Sequence, residues 1–300
     1  MPDERPLKTL AASGNFFECP RWHDGRWWVS DFYAHVVLTI GADGQVEPVL
    51  KVAGQPGGLG WLPSGDLLVV SMKDRRVLRR TADGDVNLHA DLSHLTSAHL
   101  NDMLVHAGHA YVGNFGFDLM GGQAPAPADL VHIDPDGVAA IAARELWFPN
   151  GMVLTEGGTL IVAETFAARL TAFEITADFD LTHRRVWAQV EPAPTPADLE
   201  TMLGTLTFAP DGCALDAEGH IWAADGIGGD LCRVAPGGRI VDRIAMPAGL
   251  AAYACGLGGD DGRTLVACAA PDFHEGKRSA AREAMLFSTT VDVAAPAAGV

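Results

Sequence analysis

The feature that most constrains this chain is a recurring β-hairpin. Short apolar runs, RWWVS (26–30), DLLVVS (66–71), HAYVGN (109–114), TLIVAE (159–164), HIWAAD (220–225) and RTLVAC (263–268), each follow a Gly-bearing turn. The turns are HDG, PSG, HAG, EGG, AEG and DDG. Equivalent positions Val29, Val69, Val112, Val162, Ala223 and Val266 are separated by 40, 43, 50, 61 and 43 residues. A period of that size is the one propeller blades of about four strands require. Six repeats predict an all-β fold, a six-bladed β-propeller forming one domain over 1–300 with its core at about 15–293. Helical signals are confined to 194–203 and to KRSAAREAM (277–285), a turn or two each. The segment AMLFSTTVDV (284–293) reads as a strand that pairs with the N-terminal blade and closes the ring, which removes exposed sheet edges. The Gly-rich GQPGGLG (54–60) lacks the Lys-Ser/Thr of a phosphate loop and the strand-to-helix setting of a dinucleotide fingerprint, so it reads as a turn.

An apolar share of 48% with 34 Gly and 18 Pro permits a large core divided by many turns. The formal charge of −17 disfavours nucleic acid and anionic membrane surfaces as partners, leaving a small-molecule substrate. No apolar run approaches the roughly 18 residues of a membrane span. The opening MPDERPLKTLAASG lacks the basic start and apolar stretch of a secretory leader. The 5 cysteines are odd in number, widely spaced and without CxxC pairs, so neither a disulfide framework nor structural zinc is expected. A cytoplasmic protein with reduced thiols is the simplest reading.

Four hairpins align over nearly their whole length: ECPRWHDGRWWVSD (18–31), NDMLVHAGHAYVGN (101–114), NGMVLTEGGTLIVAE (150–164) and DGCALDAEGHIWAAD (211–225). Each starts with an oxygen-bearing side chain, Glu18, Asn101, Asn150 and Asp211, and each ends with one, Asp31, Asn114, Glu164 and Asp225. A hairpin returns to its starting level, so both sets share one face of the disc. With the first strand innermost, the starting residues converge on the central channel. The other two hairpins offer no comparable group. Two carboxylates and two amide carbonyls form a hard oxygen donor set. It suits Ca²⁺ first, with Mg²⁺, Mn²⁺ or Zn²⁺ as alternatives. Two formal negatives against a divalent cation leave a neutral site that retains Lewis acidity. The competing reading is that Asn, Asp and Gly start strands for turn reasons alone.

At these residues the chain resembles the senescence marker protein (regucalcin), gluconolactonase and luciferin-regenerating enzyme family. The matching stretches are ECPRW, near that family's E-G-P-x-W; LND, near R-x-N-D-G; FPNGMVLTEGGTLIVAET; and PDGCALDAEGHIWAAD. The resemblance spans about residues 15–290. It implies a six-bladed propeller with a divalent cation near the channel centre, and hydrolysis of sugar lactones or related esters. It further implies Glu18, Asn150 and Asp211 as metal ligands, Asn101 as a substrate-binding residue or fourth ligand, and Asp211 as general base or nucleophile. The chain departs from the pattern at three places. His99 stands where an Arg often holds sugar-acid hydroxyls, Cys19 replaces the Gly of E-G-P, and Cys213 replaces a Leu or Ile.

The resulting expectation is a metal-dependent hydrolase that opens a lactone. The cation polarises the carbonyl, and Asp211 or a metal-bound water drives attack. The expected substrate contacts are Asn101, His99, Asn114, Phe115, Glu164 and Phe166, with the aromatics of NFGFD (114–118) favouring a less hydroxylated substrate. Phosphotriesterase-like hydrolysis uses the same oxygen cage, and a calcium-binding or scaffold propeller without catalysis is the alternative from another class. An open position beside Asp211, rather than one plugged by Phe115 and Phe166, separates catalysis from scaffolding. His274 reads as part of a surface loop, and the tryptophans of the strand runs as core between blades.

Overall fold

The computed structural model describes residues 5–297 of the 300. Their strands form six four-stranded sheets in which every neighbouring pair is antiparallel. The first blade comprises Phe17–His23, Arg26–Asp31, Val36–Ile40 and Val46–Lys51. The second comprises Pro56–Trp61, Leu67–Ser71, Arg76–Arg80 and Val86–Asp91. The third runs Leu100–His106, His109–Asn114, Ala128–Ile133 and Ala139–Leu146, and the fourth Pro149–Leu154, Thr159–Glu164, Arg169–Ile175 and Leu181–Gln189. The fifth is Pro210–Leu215, Ile221–Asp225, Leu231–Val234 and Ile240–Ile244. The sixth takes Ala251–Gly258, Thr264–Ala270 and Ala284–Thr290 from the C-terminal end and Lys8–Gly14 from the N-terminal end.

This closure differs from the expected one. Ala284–Thr290 is the third strand of the last blade, and the N-terminal strand pairs against its outer edge, Lys8 opposite Ser288 and Gly14 opposite Ala284. The first blade completes itself without help. GQPGGLG is likewise not a turn: Pro56–Trp61 is the innermost strand of the second blade. Helix is confined to Leu199–Thr205, capped by the Asp198 carboxylate on Thr201 N, the four-residue Glu275–Arg278 and a three-residue turn at Thr165–Ala167. Among the described residues no helix is long and apolar enough to cross a membrane.

The first strand of each blade packs against the first strands of both neighbours, so six inner strands ring the channel. Burial falls outward: every residue of Pro149–Leu154 is buried, whereas Leu181–Gln189 has a single buried residue. Trp27 and Trp222 are fully enclosed between blades, as residues with that much apolar surface should be. Trp22 packs 5.3 Å from Trp27, and a Cβ on Gly258 would fall 2.4 Å from that of Trp22. All five cysteines are free and buried.

Candidate active site

The inner strands share an irregularity that aims the site. In each blade the register between first and second strand slips near the channel mouth: between Glu18 and Arg21, Pro56 and Leu59, Leu100 and Met103, Pro149 and Met152, Pro210 and Cys213, and Ala252 and Ala254. A bulge leaves its extra residue unpaired and re-aims its side chain. Glu18, Asn101, Asn150 and Asp211 occupy that step, Glu18 just before the slip and the other three within it. Gly57 and Tyr253 occupy it in the second and sixth blades. The four oxygen-bearing side chains converge on the floor of one cavity, whose empty volume including its open mouth is about 830 Å³.

Close approach of the inner strands needs small residues. A Cβ on Gly151 would lie 2.6 Å from Cys213 N and 2.7 Å from Asp211 O of the next blade, inside any real contact distance. Gly151 thereby lets Asn150 reach Asp211, whose Oδ1 accepts a short hydrogen bond from Asn150 Nδ2. The same nitrogen faces Thr165 Oγ1 at 3.4 Å, and that hydroxyl donates onward to Pro210 O at 2.8 Å. Asn101 Nδ2 donates to Pro149 O at 3.4 Å. Both amide nitrogens are thus held by the walls, and both amide oxygens are left without a hydrogen bond among the described residues. Cys19, where the related pattern has Gly, takes φ +50°, a left-handed conformation that glycine adopts more easily. Its N–H donates to Glu18 Oε2 at 3.1 Å.

Glu18 is buried, while Asp211 is partly open to the cavity. Neither carboxylate forms an ion pair among the described residues. Burial, reinforced by the facing Asp211 carboxylate, pushes Glu18 well above the usual carboxylate range. Burial, then the charge of Asp102, does the same to Asp211. Asp102 sits one residue beyond Asn101. Arg21 crosses from the first blade to it, with Nη2 2.7 Å from Asp102 Oδ1 and 3.0 Å from Met103 O. This cation is bound to its own carboxylate, leaving the floor negative.

Phe115, Phe166 and His99 line the cavity with Asn101. Phe115 and Phe166 form part of its wall and do not plug it. The His99 ring lies 5.8 Å from that of Phe115, and its pKa falls below 6.5 through burial and then the charge of Lys73.

Asn114 and Glu164, expected at the substrate, are buried and do not line the cavity. They tie down loops, as do the other hairpin-end residues. Glu164 accepts from Trp147 N, from Arg169 Nε and Nη2, and from Thr171 Oγ1. Asp31 accepts from Asn15 N and Phe16 N, and Asp225 from Ala209 N and Gly228 N. Asn114 Oδ1 accepts from Gly116 N, and its Nδ2 donates to Asp129 O. Asp31, Glu164 and Asp225 hold the segments entering the strands of Glu18, Asn150 and Asp211, so they position those three residues from behind. His274 is exposed, but its neighbours Phe273 and Glu275 line the cavity mouth.

Other lining residues escaped the sequence reading. Glu275 Oε1 accepts from Gln55 Nε2 at 2.8 Å and Lys73 Nζ at 2.6 Å, a contact between residues more than 200 positions apart. Tyr33 Oη donates to Phe273 O at 2.7 Å. No local pattern announces such pairs.

A six-bladed propeller with a cluster of two carboxylates and two amides on its channel floor defines the class. Residues 16–270 match the family described as the SMP-30/Gluconolactonase/LRE-like region, and the chain belongs to that family. Among solved structures, the calcium-binding protein regucalcin from Agrobacterium tumefaciens is similar at 20% identity and a TM-score of 0.78, over 98% of this chain and 96% of that one. A luciferin-regenerating enzyme matches at 16% identity and TM-score 0.79, over 98% of both chains. A gluconolactonase from Xanthomonas campestris matches at 21% identity and TM-score 0.71, over 96% of this chain and 90% of that one. At such identities the likeness shows the shared fold.

Proposed function

We propose that this chain is a metal-dependent hydrolase of a lactone or related carboxylic ester. The observation that carries the reading is the floor itself: two carboxylates at the bottom of a largely apolar cavity that, among the described residues, have no ion-pair partner, beside two amide oxygens that accept no hydrogen bond there. Buried like charges without a counter-charge are costly, and a cation offsets that cost. Glu18, Asn101, Asn150 and Asp211 would hold a divalent cation, Ca²⁺ by the hardness of its donors, and bound there it supplies Lewis acidity to an ester carbonyl. The family and the gluconolactonase and calcium-binding neighbours support the same reading.

The chain's own residues do the rest. Asp211, held by Asn150 and the most accessible of the four, takes a proton from the attacking water. The water oxygen bonds to the carbonyl carbon, the ring C–O bond breaks, and the proton passes to the departing alkoxide. Asn101 and His99 orient the substrate, and the aromatic walls keep bulk water out. Asp211 lines the cavity together with Phe115 and Phe166, which favours catalysis over a scaffold role.

A lactone panel that includes a phosphotriester, assayed with chelator and with Ca²⁺ add-back, tests the reading. Turnover of a lactone should vanish on chelation and return with metal, and Asp211→Asn should lower it by about 100-fold or more. Full metal-dependent turnover by Asp211→Asn would remove the general-base role. Failure to titrate any divalent cation would remove the site, and preferential cleavage of the phosphotriester would change the reaction class.

A further inference from the structure

The cavity above the floor has two aromatic walls. On the side of the first and sixth blades, the Phe16 ring lies 5.8 Å from Phe32, 5.3 Å from Tyr33 and 5.0 Å from Tyr253. Across the ring, the third and fourth blades supply Phe115 stacked on Phe148 at 4.5 Å and 24°, with Phe166 5.4 Å from Phe148. In a ring of six, those blade pairs stand opposite each other. The two clusters therefore face across the space over Asp211.

Besides the hydroxyls of Tyr33, Tyr253 and Thr165, the polar groups of the lining stand at two levels. One is the floor. The other is the rim near the second blade, where Glu275 is already satisfied by Lys73 and Gln55, so the rim carries no free charge. His99 stands beside it, lining the cavity, with its ring nitrogens unbonded among the described residues.

From this arrangement we infer that the substrate carries a flat aromatic or bulky apolar group seated between the two walls, with one polar substituent reaching His99 at the rim. A sugar lactone is the wrong shape of chemistry. Its ring hydroxyls would face aromatic carbon, and each hydroxyl stripped of water without a partner lowers affinity roughly tenfold or more. An aryl or branched alkyl group gains burial and stacking in the same place. The inference rests on the floor being an ester-binding site, but it concerns what lies above that floor.

Equilibrium binding separates the two. The whole protein with saturating Ca²⁺ is titrated calorimetrically with two non-hydrolysable probes, a phenyl-substituted six-membered lactam and gluconolactam. The phenyl lactam should bind at least tenfold more tightly. Phe148→Ala should erase most of that preference. Phe273→Ser, on a half-buried loop residue whose loss spares the inner strands, should weaken the phenyl lactam several-fold and leave gluconolactam unchanged. Equal or tighter binding of gluconolactam, no binding of either probe, or an unaltered preference in both variants overturns the inference. Tight phenyl-lactam binding by a protein that hydrolyses no lactone supports this inference while removing the hydrolytic reading. Gluconolactone turnover with preferred gluconolactam binding does the reverse.

Discussion

Gly151→Ala is a one-methyl test of how the floor is assembled. Gly151 follows Asn150 inside the bulge of the fourth blade, and its φ is not in the left-handed region, so alanine meets no torsional penalty there. The obstacle is backbone. The new Cβ would sit 2.6 Å from Cys213 N, 2.7 Å from Asp211 O and 2.9 Å from Gly212 Cα. Each must retreat by several tenths of an ångström, and none is a flexible side-chain end. The fifth blade cannot move away freely, because a Cβ on Gly212 would itself fall 2.5 Å from Ala254 Cβ of the sixth. Overpacking of this kind costs about 1–3 kcal/mol. For a chain this long that is a fall in Tm of roughly 2–8 °C. The displacement also carries Asn150 away from Asp211, so Ca²⁺ affinity should drop by about tenfold or more, on the scale of a misplaced ligand. Thermal unfolding with and without Ca²⁺ measures both effects. Gly204→Ala is the control: it lies in the helix Leu199–Thr205 with nothing within 4 Å of an added Cβ. It should leave Ca²⁺ affinity alone and raise stability by up to about 1 kcal/mol. A Gly151→Ala protein with wild-type Tm would refute the claim that backbone contact between blades sets the floor.

Arg21→Met leaves Asp102 buried without its cation and should cost about 3 kcal/mol or more in urea unfolding, with at least half regained in Arg21→Met/Asp102→Leu; a loss under about 1 kcal/mol would show the pair to be idle. On the opposite face, His109 Nδ1 and His132 Nε2 lie 2.8 Å apart, and burial lowers both pKa values below 6.5. The unfolded chain therefore takes up protons first as pH falls through 6.5, so stability present above that pH is lost below it. The urea midpoint should fall less between pH 7.5 and 5.5 in His132→Asn, and an identical fall would remove the pair from the acid response. The thiols of Cys19, Cys213 and Cys268 are pushed well above 9.0 by burial, and Cys232 rises to about 12. A chromogenic disulfide reagent at pH 8 should find no reactive thiol in the native protein and all 5 after unfolding.

The period of the hairpins made the propeller legible, because a blade that cannot bury its faces alone must recur. Glu18, Asn101, Asn150 and Asp211 were legible for the same reason: repeat position places them at one level of one channel. What aligned positions do not encode is direction. The hairpin starts and the hairpin ends look alike as a list of oxygens, yet the starts lie at the register slip and turn inward, while Asp31, Asn114, Glu164 and Asp225 are paired and turn back into the loops. A bulge is a feature of pairing between two strands, and no single strand shows it. The blade that takes the closing strand is hidden in the sequence for a related cause. Lys8–Gly14 and Ala284–Thr290 are both amphipathic and adjacent in the ring, and only their register decides which blade takes the other. The Gln55–Lys73–Glu275 contact joins residues from the second and sixth blades, beyond any local pattern.

The same bulge explains how a near-symmetric scaffold holds an asymmetric site. Six inner strands present six equivalent positions to the channel, and the backbone treats them alike. The residue placed there is the variable: Glu18, Gly57, Asn101, Asn150, Asp211 and Tyr253 in blade order. Carboxylate, amide, amide and carboxylate supply the oxygen cluster. Gly57 lets the second and third blades approach, since a Cβ there would fall 2.8 Å from Asn101 O, and Tyr253 joins the aromatic wall. A single exchange at any of the five positions other than Gly57 changes the chemistry without touching the sheet. The hairpin-end residues have no such freedom, since Asp31, Glu164 and Asp225 each hold the segment entering the inner strand of their own blade. Substituting Asp225 by alanine should therefore damage stability and activity together, because Ala209 N, Ile227 N and Gly228 N would all lose their acceptor. Substituting Tyr253 by phenylalanine, which keeps the ring and its packing, should leave the fold intact and act on ligand preference alone.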